Sequence, residues 1–376
     1  MWLYLHRPCE YWTFLGKLQV ERLYMICVIV VWLLRPGKKW IQNRLHLGFV
    51  FFGFALVVCW LNSPHPAYLG EKIVEDFAKV TVFFVLLLSS IRDVRGLRQM
   101  LAFYFIALAF YQLHSLLEFV NGRYEFRMAT VRMKGVDLTF GDPNTFAATL
   151  LHALPFLVPF WMKPDKSHVK AVIVGYVLLS LLCIFLTGSR RAFIGLGFLT
   201  FILVLRSRHR VGLLMLLLFM SPIVWSMMRP DLQSRFLTIL GAEHGPSNAH
   251  TSAMSRYYFF LDGLDLWSKN PISGVGPAAF GAALPHGLQP HNLYAQVLGE
   301  LGSLGLLALL CIVVGFWRNS REIKRIYRMH PWWEKDFSYH VGTVTWLAVV
   351  LLLFMGIGGH NLYRYNWLWF GAFQSI

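Results

Sequence analysis

The sequence has no long polar segment that could form a separate soluble domain. Charged residues make up only 14% of its 376 residues, whereas 56% are hydrophobic and the mean hydropathy is +0.51. A soluble domain does not need so much apolar sequence, and several apolar runs approach the ~20 residues that span a bilayer. We therefore expect a single membrane domain over residues 1–376, with the lipid bilayer as its surroundings.

Cysteine and acidic residues are both scarce. Of the five cysteines, Cys27, Cys59, Cys183 and Cys311 lie in apolar runs and Cys9 stands alone, so neither a disulfide framework nor a zinc spacing is present. Asp and Glu total 19 against 35 Lys and Arg, a formal net charge of +16. These cations lie in short loops between apolar runs, which is the orientation signal of membrane proteins. We expect no nucleic-acid partner.

The apolar runs predict an all-α fold, a polytopic transmembrane helical bundle of about 11–12 spans. The runs are approximately 18–34, 45–61, 77–91, 98–120, 144–162, 169–187, 192–206, 211–228, 291–317, 338–357 and 361–376. Every second loop between them is rich in Lys and Arg, and the positive-inside rule places those loops in the cytoplasm. The other loops face outward, among them the long loop 229–290, in which we expect amphipathic helices.

Two motifs suggest a metal or a cofactor without completing either site. Asp262 and Asp265 are three residues apart, which places both carboxylates on one side of a helix, but no third ligand lies near them. Gly274 and Gly276 follow no predicted strand and belong to no complete dinucleotide fingerprint, so a turn is expected. We therefore expect no metal and no cofactor.

The segment 141–144, GDPN, predicts a helix start, with an Asp cap and Pro at the first helical position.

Arginines occur in two of the outward-facing segments. The turn 187–191, TGSRR, carries Arg190 and Arg191, and a helix predicted over 255–267 carries Arg256 on a face with Phe260, Gly263 and Trp267. Arginines at helix ends commonly extend toward lipid phosphates. The alternative is that they bind a diphosphate, because a guanidinium stays charged and forks onto two phosphate oxygens. The residues alone leave both interpretations open.

A His-Asn pair, His291 and Asn292, closes the long loop where the next helix begins. A histidine there is more often a cap or an interfacial group than a catalyst, but it can accept a proton near neutral pH beside an anion site. The same four letters, HNLY, recur from His360 to Tyr363. Glu300 lies nine residues after His291, about half a turn out of phase, so we expect it to pair with an arginine or with backbone groups.

These residues resemble the O-antigen ligase family of bacterial inner-membrane glycosyltransferases and the polysaccharide polymerases that share its core. The resemblance covers the motif order over residues 140–376. It rests on His291, Asn292, Gly302, Ser303, Leu304 and Gly305, and on Ser-Arg pairs at Ser189–Arg190 and Ser255–Arg256. The second HNLY copy has Gly371 at the equivalent offset but breaks the pattern at Gln374.

The resemblance implies transfer of a glycan from an undecaprenyl diphosphate-linked donor to an acceptor hydroxyl, with inversion at the anomeric carbon and without a metal. It places the active site at the periplasmic face of a multi-pass protein of the bacterial inner membrane, so that 229–290 is a large periplasmic loop. His291 would be the catalytic base, and Arg190 and Arg256 would bind the diphosphate. Candidate supporting residues are Arg191, Asn292, Glu300 and His360.

The acceptor remains open at the level of sequence. A lipid A-core acceptor, as in lipopolysaccharide biosynthesis, would make the protein an O-antigen ligase. A growing polysaccharide acceptor would make it an O-antigen or exopolysaccharide polymerase, and one base with two arginines serves either. A non-catalytic lipid-linked glycan transporter would also need outward arginines, but it would not need His291.

Overall fold

In a computed structural model the described part of the chain is a mainly helical polytopic membrane protein with a short β-hairpin. The structure describes residues 1–38, 40–65, 68–127, 130–139, 141–162, 167–226, 228–237, 247–333 and 336–376. Within these ranges the side chains of residues 68, 167, 220, 235 and 247–256 are outside the description. The prediction of an all-α polytopic fold is confirmed.

Helices occupy all or part of each predicted span. In chain order they are α1 (Trp2–Leu5), α2 (Pro8–Tyr11), α3 (Thr13–Lys17), α4 (Val20–Leu34), α5 (Arg44–Leu61), α6 (Tyr68–Ser90), α7 (Val94–Val120), α8 (Pro143–Ala153), α9 (Val158–Met162), α10 (Ser167–Leu186), α11 (Arg190–Arg206), α12 (Arg210–Ser226), α13 (Pro230–Leu237), α14 (Ser247–Lys269), α15 (Leu293–Met329), α16 (Phe337–Gly356) and α17 (Asn366–Ser375). The strands β1 (Tyr124–Arg127) and β2 (Thr130–Met133) pair antiparallel between α7 and α8, and a 3-10 turn (Leu154–Leu157) joins α8 to α9.

Among the described residues, six helical segments are long and apolar enough to cross a membrane. They are Arg44–Leu61, Val94–Val120, Pro143–Met162, His168–Leu186, Leu293–Met329 and Phe337–Gly356. The other predicted spans correspond to shorter helices, or to α6, whose first turns carry Glu71, Lys72, Glu75 and Asp76. The last predicted span begins five residues late, because residues 361–365 form a loop before α17.

The described chain forms two compact units, and the expectation of a single membrane domain stays a prediction. The first unit comprises Met1–Leu18, Tyr104–Leu154 and Ala171–Met254, and the second comprises Gln19–Phe103, Pro155–Lys170 and Ser255–Ile376. In the first unit α8 packs against α11, and β2 contacts α13. In the second unit α15 packs along α5 and α16, and α17 contacts α16 and α6.

Glycines let α5 and α15 approach closely in the second unit. A Cβ added at Gly48 would lie 3.2 Å from the backbone of Ile312, and one at Gly315 would lie 2.9 Å from the Leu45 side chain. Helices in lipid associate through close packing of this kind, because lipid tails are as apolar as leucine and give no hydrophobic drive. This packing holds α15 in place, and α15 carries the candidate site at its first turn.

Candidate functional site

The candidate base lies immediately before a capped helix. Asn292 has an extended backbone, and its side-chain oxygen accepts hydrogen bonds from the amides of Tyr294 (2.8 Å) and Ala295 (3.1 Å). These are two of the amides that a helix start leaves without an intrahelical partner. Asn292 is therefore the cap of α15, and His291 precedes it with an exposed side chain.

The fold brings the two HNLY copies together. The Nδ1 atoms of His291 and His360 are 3.2 Å apart, and their ring centroids are separated by 5.1 Å at an interplanar angle of 35°. Both side chains are exposed. At this distance one ring donates a hydrogen bond and the other accepts it. Two histidines 69 positions apart in the chain thus share one hydrogen bond.

Hydrogen bonds connect the first HNLY copy to α16 and the second copy to α15. The Tyr294 hydroxyl, at the start of α15, donates to the Leu353 carbonyl near the end of α16 (3.1 Å). The Tyr363 hydroxyl, in the loop after α16, donates to Glu300 Oε2 on α15 (2.6 Å). Asn361 Nδ2 also donates to a carbonyl in the last turns of α16 (2.8 Å). These bonds fix the two histidine-bearing segments relative to each other.

Glu300 is a buried junction between three segments. Besides the Tyr363 hydroxyl, its carboxylate accepts from Gln296 Nε2 (3.4 Å), and its backbone carbonyl accepts from the Gly276 amide (2.9 Å). Burial, together with the adjacent carboxylate, raises the pKa of Tyr363 well above its usual value, so the phenol stays protonated and can donate. The contacts of Glu300 therefore connect the loop after α14 and the loop after α16 to α15. None of these hydrogen bonds involves the His291 ring.

A break in α15 explains the first glycine of the motif. Gly302 has φ 60° and ψ −155°, a conformation open essentially to glycine alone, and a Cβ there would lie 2.5 Å from the Ile272 carbonyl oxygen. The amides of residues 303 and 304 donate to carbonyls of the turn 271–276 (2.8 and 3.1 Å). Amides of that turn donate in return to the carbonyls of residues 299 and 300 (both 2.9 Å). The loop thus docks on the broken helix.

The second HNLY copy is not followed by a helix break of this kind. Gly371, at the equivalent offset in the second copy, lies inside α17, where a Cβ would meet the Phe49 ring at 2.5 Å. It permits close packing and does not interrupt its helix. The predicted turn at Gly274 and Gly276 is present, and both residues have positive φ.

The aromatic helix of the long loop packs on α15 with a register that differs from the predicted one. The buried stripe of α14 runs through Phe259, Gly263 and Leu266, whereas the sequence suggested a face with Phe260. A Cβ at Gly263 would lie 2.7 Å from Ala295, so the two helices touch there. The side chain of Arg256 lies outside the described residues, and its diphosphate role stays a prediction.

Phe259 separates a second polar pair from the two histidines. Its ring meets His291 edge-on at 6.4 Å and His286 edge-on at 5.5 Å. His286 Nδ1 accepts from a backbone amide at 3.0 Å, so its Nε2 carries the hydrogen that points to Asp262 Oδ2 at 3.3 Å. Asp262 thus has a histidine partner, while Asp265 pairs with Lys269 (2.6 Å). In the part of the chain that the structure describes, no group of three His, Cys, Asp or Glu residues could hold a metal.

In the first unit, the TGSRR turn begins α11. Gly188 takes a positive φ of 58°, and the Ser189 hydroxyl caps the helix by accepting from the Ala192 amide (3.4 Å). Arg190 and Arg191 follow in the first helical turn, both half-buried. The cap and the tight turn fix the backbone from which these two guanidiniums project.

A third arginine, not expected from the sequence, lies beside this turn. Arg132 lies on β2 and is only 1% exposed. Its Nε donates to the Thr187 carbonyl (2.8 Å), and its Nη2 donates to Asn144 Oδ1 (3.0 Å). Its Nη1 lies 3.4 Å from the Glu125 carboxylate. Burial lowers the pKa of Arg132, the charges of Glu125 and Asp142 raise it, and the charges of Arg127 and Arg190 lower it. The alternating pattern of residues 124–133 was the signal that could have placed it on a strand.

The GDPN segment has two roles here. As predicted, Asp142 caps α8 by accepting from the amides of Asn144 (3.0 Å) and Thr145 (3.2 Å). Asn144 also contacts two arginines, because its side chain accepts from Arg132 and its carbonyl accepts from Arg191 Nη2 at 3.4 Å. We call Arg132, Arg190 and Arg191 the arginine group.

Residues 175–310 match the family model described as O-antigen ligase. The matched segment contains Arg190, Arg191, Arg256, His291 and Glu300, together with the glycine that breaks α15. A comparison with curated proteins finds no match. Over residues 175–310, then, this multi-pass membrane protein is similar to the O-antigen ligase family.

Proposed function

We propose that this protein transfers a glycan from an undecaprenyl diphosphate-linked donor to an acceptor hydroxyl at the periplasmic face of the bacterial inner membrane. The proposed acceptor is the lipid A-core, which makes the protein an O-antigen ligase acting in lipopolysaccharide biosynthesis. The observation that carries the proposal is His291, an exposed imidazole held before a capped helix inside the segment that matches the family.

The proposed reaction is a single displacement. The acceptor oxygen attacks the anomeric carbon from the face opposite the diphosphate, the bond from that carbon to the phosphate oxygen breaks, and configuration inverts. The proton of the acceptor hydroxyl passes to His291. General-base assistance of this kind is typically worth ~10²–10⁴ in rate. A diphosphate is already a good leaving group and needs no proton.

The cations act on the leaving group in this proposal. Arg190 and Arg256 bind the diphosphate and neutralise the charge that builds on its oxygens, with Arg191 in support. Fixed guanidiniums can stabilise developing charge without reorganising during the reaction. Support for Arg190 comes from the capped turn and from the concentration of positive charge in the arginine group. Support for Arg256 comes from its Ser-Arg motif.

The mechanism proposed is independent of metal ions. The permanent charges of the arginines would take the part that a divalent cation plays in other glycosyl transfers. Activity that disappeared on chelation and returned with added divalent ions would contradict this part of the proposal.

Product analysis tests the function and separates the acceptors. The purified protein in lipid nanodiscs is supplied with a synthetic undecaprenyl diphosphate glycan, either alone or together with lipid A-core. A single capped product that requires lipid A-core supports the ligase. A ladder formed from donor alone would show the polymerase instead. Absence of product in both reactions, with movement of the donor across a vesicle bilayer, would show a transporter.

A further inference from the structure

We propose that His360 is a positioning residue, which selects the ring tautomer that His291 needs in order to accept a proton. The inference rests on the proposed function and assigns a distinct role to each member of the histidine pair. His291 is the base, and His360 is the group that holds the base in the reactive form.

The hydrogen bond between the two rings allows only two arrangements. A neutral imidazole has one nitrogen that donates and one that accepts, and the contact joins Nδ1 of His291 to Nδ1 of His360. If His360 donates, His291 carries its own hydrogen on Nε2 and cannot accept a proton there. If His291 donates, its Nε2 has a lone pair for the proton of the acceptor hydroxyl. Only the second arrangement suits a base.

The second arrangement also suits the product of proton transfer. Once Nε2 has taken the proton, His291 is an imidazolium, and its Nδ1–H donates a charge-assisted hydrogen bond to the neutral His360 ring. Two protonated rings at 3.2 Å would have no acceptor between them and would repel. His360 therefore acts as a neutral acceptor before and after the transfer.

The contact is built by the surrounding fold. Asn292 caps the helix behind the first ring, while Asn361 behind the second ring donates to α16 (2.8 Å) and its carbonyl accepts from the Trp367 indole (3.0 Å). The bonds of Tyr294 to α16 and of Tyr363 to α15 cross between the two segments. Because these anchors are buried or half-buried, the approach of the two exposed rings follows from the packing beneath them.

Two substitutions of His360 separate positioning from catalysis. In His360→Asn the amide oxygen lies close to the former Nδ1 position and can still accept, whereas His360→Phe keeps a ring but removes the acceptor. We expect His360→Asn to keep kcat within a few-fold of the unmodified protein. We expect His360→Phe to lower kcat by at least about 10-fold and by up to the ~10⁴-fold that a wrong histidine tautomer costs in a serine-protease triad, with KM for the donor unchanged. His65→Phe, on an exposed loop, is the matched control.

A spectroscopic measurement reads the tautomer directly and does not depend on turnover. In protein labelled with ¹⁵N-histidine, we expect the His291 signals, identified by their loss in His291→Asn, to show a protonated Nδ1 and an unprotonated Nε2. In His360→Phe the form protonated on Nε2 should increase. Equal thermal unfolding temperatures of the variants exclude a loss of fold as the cause.

Three results would overturn the inference. The first is an Nε2-protonated His291 in the unmodified protein, and the second is full activity of His360→Phe. The third is His360→Asn as inactive as His291→Ala, which would make His360 the base itself. If the unmodified protein formed no product with either acceptor, the proposed function would fail while the ¹⁵N signals still decided the tautomer.

Discussion

At the scale of single residues, polar side chains begin the helices next to which the candidate residues of each unit lie. Asn292 caps α15 and Ser189 caps α11, and each stands next to the residue to which the proposed mechanism gives a chemical role. A cap satisfies amides that would otherwise lack a partner, and it fixes the direction in which the neighbouring side chain leaves the backbone. The helix starts therefore position His291 and Arg190.

Replacing His291 tests the base. We expect His291→Ala to lower the transfer rate by about 10²–10⁴, the usual value of general-base help, while the affinity for the lipid diphosphate donor changes little. The measurements are single-turnover product formation and donor binding with the protein in nanodiscs. His65→Ala, also exposed and in the same unit, should behave like the unmodified protein. Near-normal transfer by His291→Ala would remove the base assignment.

Replacing Arg132 tests the buried member of the arginine group. Arg132→Met leaves the Thr187 carbonyl and the Asn144 side chain without their donor, and we expect a destabilisation of about 1–3 kcal/mol with weaker donor binding. Arg132→Lys should be intermediate, because a lysine cannot reproduce the fork of donors. Thermal unfolding and donor titration measure both effects.

The control for this prediction lies on the same hairpin. Arg127 is exposed, and Arg127→Met should change the unfolding free energy by no more than about 0.5 kcal/mol. Equal effects of the two substitutions would show that burial of Arg132 contributes nothing to the turn 187–191.

At the scale of elements, the break in α15 is the feature that joins the long loop to the site. Peptide groups on both sides of Gly302 leave the helical hydrogen-bond pattern and pair with the turn 271–276. The first segment of α15 then has His291 immediately before its cap and Glu300 near the break. A continuous helix would have no free amides and carbonyls here to hold the loop.

Substitution at the break should disturb the site from a distance. We expect Gly302→Ala to cost about 1–3 kcal/mol through backbone strain alone, and its Cβ would also collide with the Ile272 carbonyl. Lower thermal stability and reduced transfer are the expected results. In contrast, Gly175→Ala places its Cβ in open space on helix α10 and should leave stability unchanged or slightly higher. A Gly302→Ala protein as stable as Gly175→Ala would contradict the role of the break.

At the scale of the whole molecule, charge distribution predicts the orientation in the membrane. The continuous part of α15 after its break, residues 303–329, extends about 40 Å, beyond the ~30 Å of a hydrocarbon core. Its last turns carry Arg318, Arg321, Lys324, Arg325 and Arg328. The positive-inside rule places this end in the cytoplasm, so the start of α15, with His291, should face the periplasm.

Cysteine labelling measures this orientation. In a protein whose five native cysteines are replaced, Leu288→Cys and Arg325→Cys place single thiols at exposed positions beyond the two ends of the apolar part of α15. A membrane-impermeant maleimide should label residue 288 in intact spheroplasts and residue 325 only after lysis. The reverse pattern would place His291 in the cytoplasm and exclude transfer at the periplasmic face.

The chain by itself determined the fold class, the approximate positions of the long apolar helices and the Asp142 cap of α8. Apolar runs, loop charges and cap residues such as Asp142 are local signals, because each affects the backbone only within a few residues of its own position in the sequence. The helix over 255–267 was predicted on the same grounds. Its buried face was not, because adjacent Phe259 and Phe260 allow two registers and contact with Ala295 decides between them.

Only the tertiary structure decided which polar groups meet. His360 reaches His291 across 69 residues, and Arg132 reaches Thr187 across 55. The two HNLY copies have the same sequence, but the glycines that follow them differ in conformation. Gly302 breaks its helix where the turn 271–276 docks, whereas Gly371 packs on Phe49 and stays helical. Local sequence sets backbone preference, whereas hydrogen bonds and close contacts between distant segments depend on how the whole chain packs.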